Sequence, residues 1–377
     1  MPRISIIQGE VIDVDLGTTT VKDLHLDDGQ LVDGFSGSAD ETIDARGCFV
    51  APGFIDLHTH VFSHDLFTHS RLPADRIGVS QGVACVVDAG SSGAVTIDAF
   101  PRNVLDTQQT SVYGFVNIGS PGLPNLQGGH ASRPELCDLA GTVAAFERHG
   151  DWLVGVKVLA SQSHTGSFGL EAVKLARKAA ELVDKPLMLH VGNAPPVIDD
   201  VLDLLRPGDI VTHTYHGKTG GVLGHGGRVI DAFREAVARG VIVDLGHGRS
   251  SFSFSVCQAA LDQGMPLHTI SSDLHRGNVE RYAVSLARTM SKVRMLGFSL
   301  IEVVQKVTRE PARAIAIEQA GFGRIEGAGP TSLTVFRELD TPVEVEDAEG
   351  QKLICETWIE PLGVLVSGCW FPVSEAL

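Results

Sequence analysis

Short apolar runs separated by turn residues open the chain. ISIIQGEVIDVD (4–15), QLVDGFSG (30–37) and ETIDARGCFVAPG (41–53) alternate apolar with polar positions, a period of two that predicts strands and leaves no room for a helix. The same texture returns at the far end in SLTVFREL, PVEVEDAEGQKLICETWIEP and GVLVSGCWFPV, with Pro and Gly between the runs. The two ends are expected to build one small β-sandwich module, from residues 1–52 and 323–377. Between them the pattern changes. Runs rich in β-branched residues at 53–58, 84–89, 111–119, 152–160, 186–192, 209–215, 240–246 and 267–273 alternate with helix-length stretches. GLEAVKLARKAAELVD, RVIDAFREAVARG and SFSVCQAALDQG carry apolar residues three and four apart with charges opposite, as helices lying on a sheet do. Eight buried strands alternating with helices fit an α/β fold, a (β/α)8 TIM-type barrel over residues 53–322. An open doubly wound sheet would give the same local pattern, so the choice between them falls to the chemistry.

Composition narrows the class. A chain of 377 residues accommodates such a barrel plus a smaller module. Apolar residues at 43% and charged residues at 20% are ordinary globular usage, and 42 glycines without a period point to tight loops. A net charge of -16 repels phosphate backbones, which argues against a nucleic-acid partner. Cys48, Cys85, Cys137, Cys257, Cys355 and Cys369 form no CxxC pair, and most have apolar neighbours, the pattern of buried thiols in a reducing compartment. The N-terminus meets acidic residues before a signal-type apolar run could form, and no apolar run approaches the ~18 residues of a membrane span. A cytoplasmic location is the resulting expectation, and a homo-oligomer is expected only from the general frequency of symmetric assemblies.

Groups able to bind metal recur at the strand ends. His58 and His60 in FIDLHTHVF point to the same side of an extended chain, and Lys157 (GVKVLAS), His190 (MLHVG), His213 (DIVTHTY) and Asp273 (ISSDLH) follow on later strands. In a (β/α)8 barrel that rim is where active sites lie. A single strand-end histidine is more often a hydrogen-bonded structural residue; six such groups on one rim reverse that preference. A lysine at the buried end of an apolar strand is expensive unless its charge is removed or compensated. Deprotonated, it can capture carbon dioxide as a carbamate, an oxygen ligand able to bridge two cations. An ion pair of Lys157 with Asp273 or another carboxylate is the alternative.

GFIDLHTH preceded by ARGCFVAP, then GVKV, LHVG, THTYHG and SSDLH in that order, resemble the amidohydrolase superfamily. The likeness runs over nearly the whole chain, including VTREPARAIAI and GFGRIEGAGPTSLTVF, where TSL replaces the usual ADL before the returning strand. It implies a binuclear site in which His58, His60 and Asp273 hold the more buried metal, His190 and His213 the more exposed one, and N6-carboxylated Lys157 bridges both. It also implies a bridging hydroxide as nucleophile and Asp273 as the group that moves the proton. Ligand type leaves the metal open, with two Zn2+ ions the expectation.

Within the superfamily, an Arg two residues after the second His of the HxH pair marks dihydroorotases, and Phe62 stands there; HVGN at 190–193 departs from the HAGE of adenosine-deaminase types. The chain is most similar to a deacetylase-like subgroup thought to act on N- or O-acylated α-carboxylates. Hydrolysis of such an amide or ester is the expected activity, and a dihydroorotase- or hydantoinase-like action on a cyclic amide is the alternative. A non-catalytic scaffold would be expected to have lost ligands, and all six are kept. His216, which departs from the subgroup's loop, Lys218, His247 and Arg249 are candidate substrate contacts; each is also explained by a loop or supporting position. Lys218, with His225 and Arg228 of the GGVLGHGGR loop, could meet a substrate carboxylate, and a merely mobile loop explains all three better. GKTGG at 217–221 lacks the earlier glycine of a phosphate loop, Thr212 taking its place. His64, His69 and His164 are assigned to solvated rim loops.

Overall fold

A computed structural model describes residues 1–62, 72–123, 130–327 and 329–373; His64 and His69 lie outside them. Seven parallel strands form the barrel wall in chain order: Phe54–Thr59, Val83–Gly93, Ser111–Asn117, Leu153–Ala160, Leu187–Val191, Ile210–Thr212 and Ile242–Val243. Val83–Gly93 and Leu153–Ala160 are buried at every position. A strand covered on both faces has no polar side to show, hence the continuous apolar runs. The eighth run is irregular. It meets the seventh strand at Asp244–Thr269 and the first at Thr59–Leu274, parallel single bridges that close the ring. Ser271, Ser272 and Asp273 occupy this stretch, and their side chains are spent on buried carboxylates and histidines instead of a regular ladder.

The expected helices run over Gly169–Leu182, Asp231–Ala238 and Phe254–Leu261. Ala172, Val173, Ala176, Ala179 and Ala180 face the wall, small residues that let the first of these helices lie close. Ser253 caps the last by accepting from Val256 N–H.

Both chain ends contribute to a separate eight-stranded sheet. Its order is Cys369–Pro372, Trp358–Val366, Leu333–Leu339, Phe49–Pro52, Ile4–Asp13, Thr18–Asp27 and Gln30–Val32, with Glu41–Asp44 also on Ile4–Asp13. The Thr334 hydroxyl joins this sheet to the barrel, accepting from Phe54 N–H at 3.1 Å and donating to Gly82 O at 2.9 Å. Gly53 is needed at the junction, since a Cβ there would lie 2.5 Å from that of Ala84.

One segment leaves the sheet. Val343–Glu346 and Lys352–Cys355 pair only with each other, and the tip of this hairpin docks on the barrel rim. Asp347 accepts from Phe254 N–H at 2.9 Å, and Ala348 N–H donates to Phe252 O at 2.9 Å. Four cysteines are buried as expected, Cys137 is half-buried, and Cys369 is exposed on the edge strand, where no core demands a thiol. Among the described residues no helix is long and apolar enough to cross a membrane.

Candidate active site

The six groups that the spacing singled out meet at the C-terminal rim. His58 and His60 stand at the end of the first strand, His190 in the fifth, His213 just past the sixth, and Asp273 in the closing segment. Lys157 sits within the fourth strand, three residues before its end, so its long stem carries the amine up to the rim. Gly90 makes the space, because a Cβ there would fall 2.6 Å from Lys157 Cβ.

Asp273 is the centre of the cluster. Its Oδ1 lies 3.2 Å from His60 Nε2 and 3.4 Å from His58 Nε2, and its Oδ2 lies 3.9 Å from His213 Nε2. Lys157 Nζ is 3.3 Å from His58 Nε2. His190 packs edge-on to His213, ring centres 4.4 Å apart. Ligand atoms of His58, His60 and Asp273 all lie within 4.8 Å of one another, the one group of three or more potential ligands so placed among the described residues. Asp273 and His213 both adopt left-handed backbone, φ 51° and 65°, which residues with a Cβ take only where the surroundings impose it.

Outer partners aim the imidazoles. Thr212 Oγ1 donates to Asp244 at 2.6 Å, so toward His58 Nδ1, 3.0 Å away, it can only accept. His58 therefore carries its proton on Nδ1 and turns the Nε2 lone pair inward. His213 reaches the same state by donating Nδ1–H to Gly246 O at 2.6 Å. His60 Nδ1 is 2.9 Å from Ser91 Oγ. Three buried carboxylates brace this layer. Asp244 accepts also from Thr269 and Ser271, Asp88 holds Val61 N–H and Ser91 N–H, and Asp56 holds the backbone and hydroxyl of Ser272. Their signal was present, a carboxylate within each apolar run (FIDLH, ACVVDA, GVIVDLG), and it went unused.

Burial dominates the electrostatics. It lowers His58 and His190 far below the usual histidine range, helped by the neighbouring cations, and takes His213 to about 3. Neutral imidazoles with free lone pairs result, the form in which histidine binds a cation. Burial brings Lys157 down to about 8, against the pull of Asp273, Asp244 and Asp88. Burial raises Asp273 too, but the hydrogen bond from His60 and the electrostatic field of the surrounding His213, His60 and His275 rings outweigh it and hold the carboxyl ionised.

The rim candidates separate. His216 is buried and Lys218 half-buried; Arg249, His225 and Arg228 are exposed. His247 is fully buried with Nε2 2.8 Å from Lys292 Nζ and Nδ1 2.9 Å from Gly248 O, so both ring nitrogens are engaged within the protein. His164 is no solvated loop residue: its ring lies 5.4 Å from that of His190, and burial lowers it to about 4. Behind it, His130 is wholly buried with neither ring nitrogen bonded. Phe62 packs into the core against Phe100.

Comparison with known proteins agrees with this layout. Residues 41–187 match the sequence model of the amidohydrolase family. A deacetylase of Enterococcus faecalis is 34% identical over 342 residues, 88% of this chain and 89% of that one. A solved structure titled as an adenine deaminase superposes with a TM-score of 0.90 at 29% identity, covering 98% of this chain and 99% of that one. Another, titled as a dihydroorotase, gives 0.90 at 30% identity and covers 99% and 98%. With a (β/α)8 barrel, metal-ligating residue types gathered on its C-terminal rim and a relative this similar over most of both chains, the protein belongs to the amidohydrolase superfamily, hydrolases that generally use divalent metals.

Proposed function

We propose that the chain is a binuclear metal-dependent deacylase, removing an acyl group from the nitrogen or oxygen of an α-amino or α-hydroxy carboxylate. The observation that carries this is the convergence of three histidine Nε2 atoms on Asp273 beside a buried lysine. Those residues fit a cation well. Two of the imidazoles have Nδ1 committed as a donor, their Nε2 lone pairs face one carboxylate, and the amine nearby is easily deprotonated. His58, His60 and Asp273 would hold one ion, His190 and His213 the other, and Lys157 as its carbamate would lie between; zinc suits this donor set. When bound, the ions lower the pKa of water and polarise a substrate carbonyl.

The chain's own groups supply the rest. Asp273, kept ionised, takes the proton from the attacking water and returns it to the leaving nitrogen or oxygen. Lys218 is the anchor for the substrate carboxylate, since its half-buried ammonium, in the field of both Asp273 and Glu349, makes no ion pair within 4 Å among the described residues. The deacetylase relative supports the acyl transfer to water. Opening of a cyclic amide is the second reading, supported by the dihydroorotase-titled structure; Phe62, turned into the core, cannot serve as a carboxylate clamp there.

The same reading divides the chain into a β-module from residues 1–52 with 323–377 and the hydrolase barrel from 53–322. The test is elemental analysis with a substrate screen. Native protein should hold near two metals per chain and release acetate from N- or O-acetyl carboxylates, while Lys157→Ala should fall to one metal or fewer. No retained metal in the native protein after reconstitution would sink the proposal.

A further inference from the structure

A cavity of about 660 Å³ opens on the rim between the segment after the fifth strand and the 216–230 loop. That size is within the range of about 300–1,000 Å³ usual for small-molecule sites. Its walls are apolar, from Ala194, Val197, Ile198, Leu223, Ile230 and Val256. Val197 is 51% exposed at its edge, an apolar surface that an occupant would cover.

Asp199, Thr219 and His225, all exposed, also line it, as do the buried His216 and the half-buried Lys218. Lys218 N–H donates to His216 Nδ1 at 3.1 Å, so Nδ1 is the acceptor and the ring proton sits on Nε2. That Nε2–H is buried without a partner. A buried donor left unmade is costly, and this one shares a wall with the Lys218 ammonium, which makes no ion pair among the described residues. Together they match an anionic oxygen pair, one oxygen for the cation and one for the neutral N–H.

We propose, resting on the deacylase reading above, that this cavity is the subsite for a branched apolar α-substituent, with Lys218 and His216 reading the carboxylate at its wall. The α-carbon carries both the carboxylate and the side chain. Once the carboxylate is held by Lys218, the side chain falls among the apolar residues that share the wall, while the acyl group points back toward Asp273. The substrates are then acylated acids with leucine- or valine-like side chains, and glycine-like acids are poor.

Equilibrium binding of two product acids to the metal-loaded enzyme tests this, glycolate against 2-hydroxy-4-methylpentanoate, alongside kcat/KM for their acetyl esters. The branched acid should bind at least about tenfold tighter, the return expected from burying an isobutyl group. Leu223→Trp, which fills the cavity from a half-buried loop position, should bring the branched acid down to the level of glycolate. His216→Phe should weaken both acids alike; an unfolding midpoint matching the native protein shows that either variant is folded. Equal binding of the two acids by native enzyme, or a preference that survives Leu223→Trp, overturns the subsite. Hydrolysis of neither ester while the branched acid still binds tenfold tighter would refute the deacylase reading and leave the subsite standing.

Discussion

At the scale of the residue, much of the site depends on which ring nitrogen carries a proton. His58 can present Nε2 because Thr212, committed to Asp244, accepts from its Nδ1. Thr212→Val keeps the shape and removes the acceptor, and is expected to weaken metal binding by about 10- to 100-fold. Competition against a chromophoric chelator measures this; unaltered affinity with normal folding would show that the hydroxyl does not orient the ligand. Three of the proposed ligands were legible because they break a local rule: an HxH pair in a strand keeps two imidazoles on one face, and Lys157 places a charge in an apolar run. Thr212 breaks none. Its partner His58 lies 154 residues away in sequence, a distance that no local pattern spans.

At the scale of the element, the helix Leu286–Arg294 ties three pieces of the rim together through one residue. Lys292 is fully buried; its Nζ donates to Tyr282 O at 2.8 Å and Glu346 O at 2.7 Å, and touches His247 Nε2 at 2.8 Å. The turn that follows His247 includes Gly248, packed so closely that a Cβ would lie 2.6 Å from Asp273 Oδ2. Lys292→Met leaves two carbonyls and a ring nitrogen without their donor and is expected to cost roughly 2–4 kcal/mol of stability. The denaturant midpoint reads this directly, and a change under about 0.5 kcal/mol, ordinary for a surface substitution, would show that water replaces the ammonium. The strand texture of 343–355 was legible in the sequence. That this hairpin deserts the sheet for the barrel rim was not, because a period of two states which face is apolar but not against what it packs.

At the scale of the whole molecule, an irregular segment closes the ring. Its only β-bridges among the described residues are Asp244–Thr269 and Thr59–Leu274, supplemented by backbone bonds such as His247 N–H to Ser271 O and by hydroxyl bonds to Asp244 and Asp56, and the proposed metal ligands straddle that closure, His58 and His60 on one side and Asp273 on the other. Ions that bind the folded ring stabilise it by mass action, by about 4 kcal/mol at a thousandfold excess over the dissociation constant. Chelation should therefore lower the unfolding midpoint, and added zinc should restore it, with smaller shifts in Lys157→Ala. A midpoint indifferent to chelator would mean that the closure stands without metal.

By itself the sequence determined the alternation of strand and helix, the return of the chain to its first sheet, and the ligand types on the rim, because hydrophobic period and residue chemistry are local properties. Only the tertiary structure decided the rest. It committed His247 to Lys292, brought His164 out of its loop against His190, buried the free N–H of His216 in a cavity wall, and left the eighth strand as two bridges. Each of these depends on which distant groups share a low-dielectric space, where an unpaired polar atom is costly and a partner is found wherever the fold provides one.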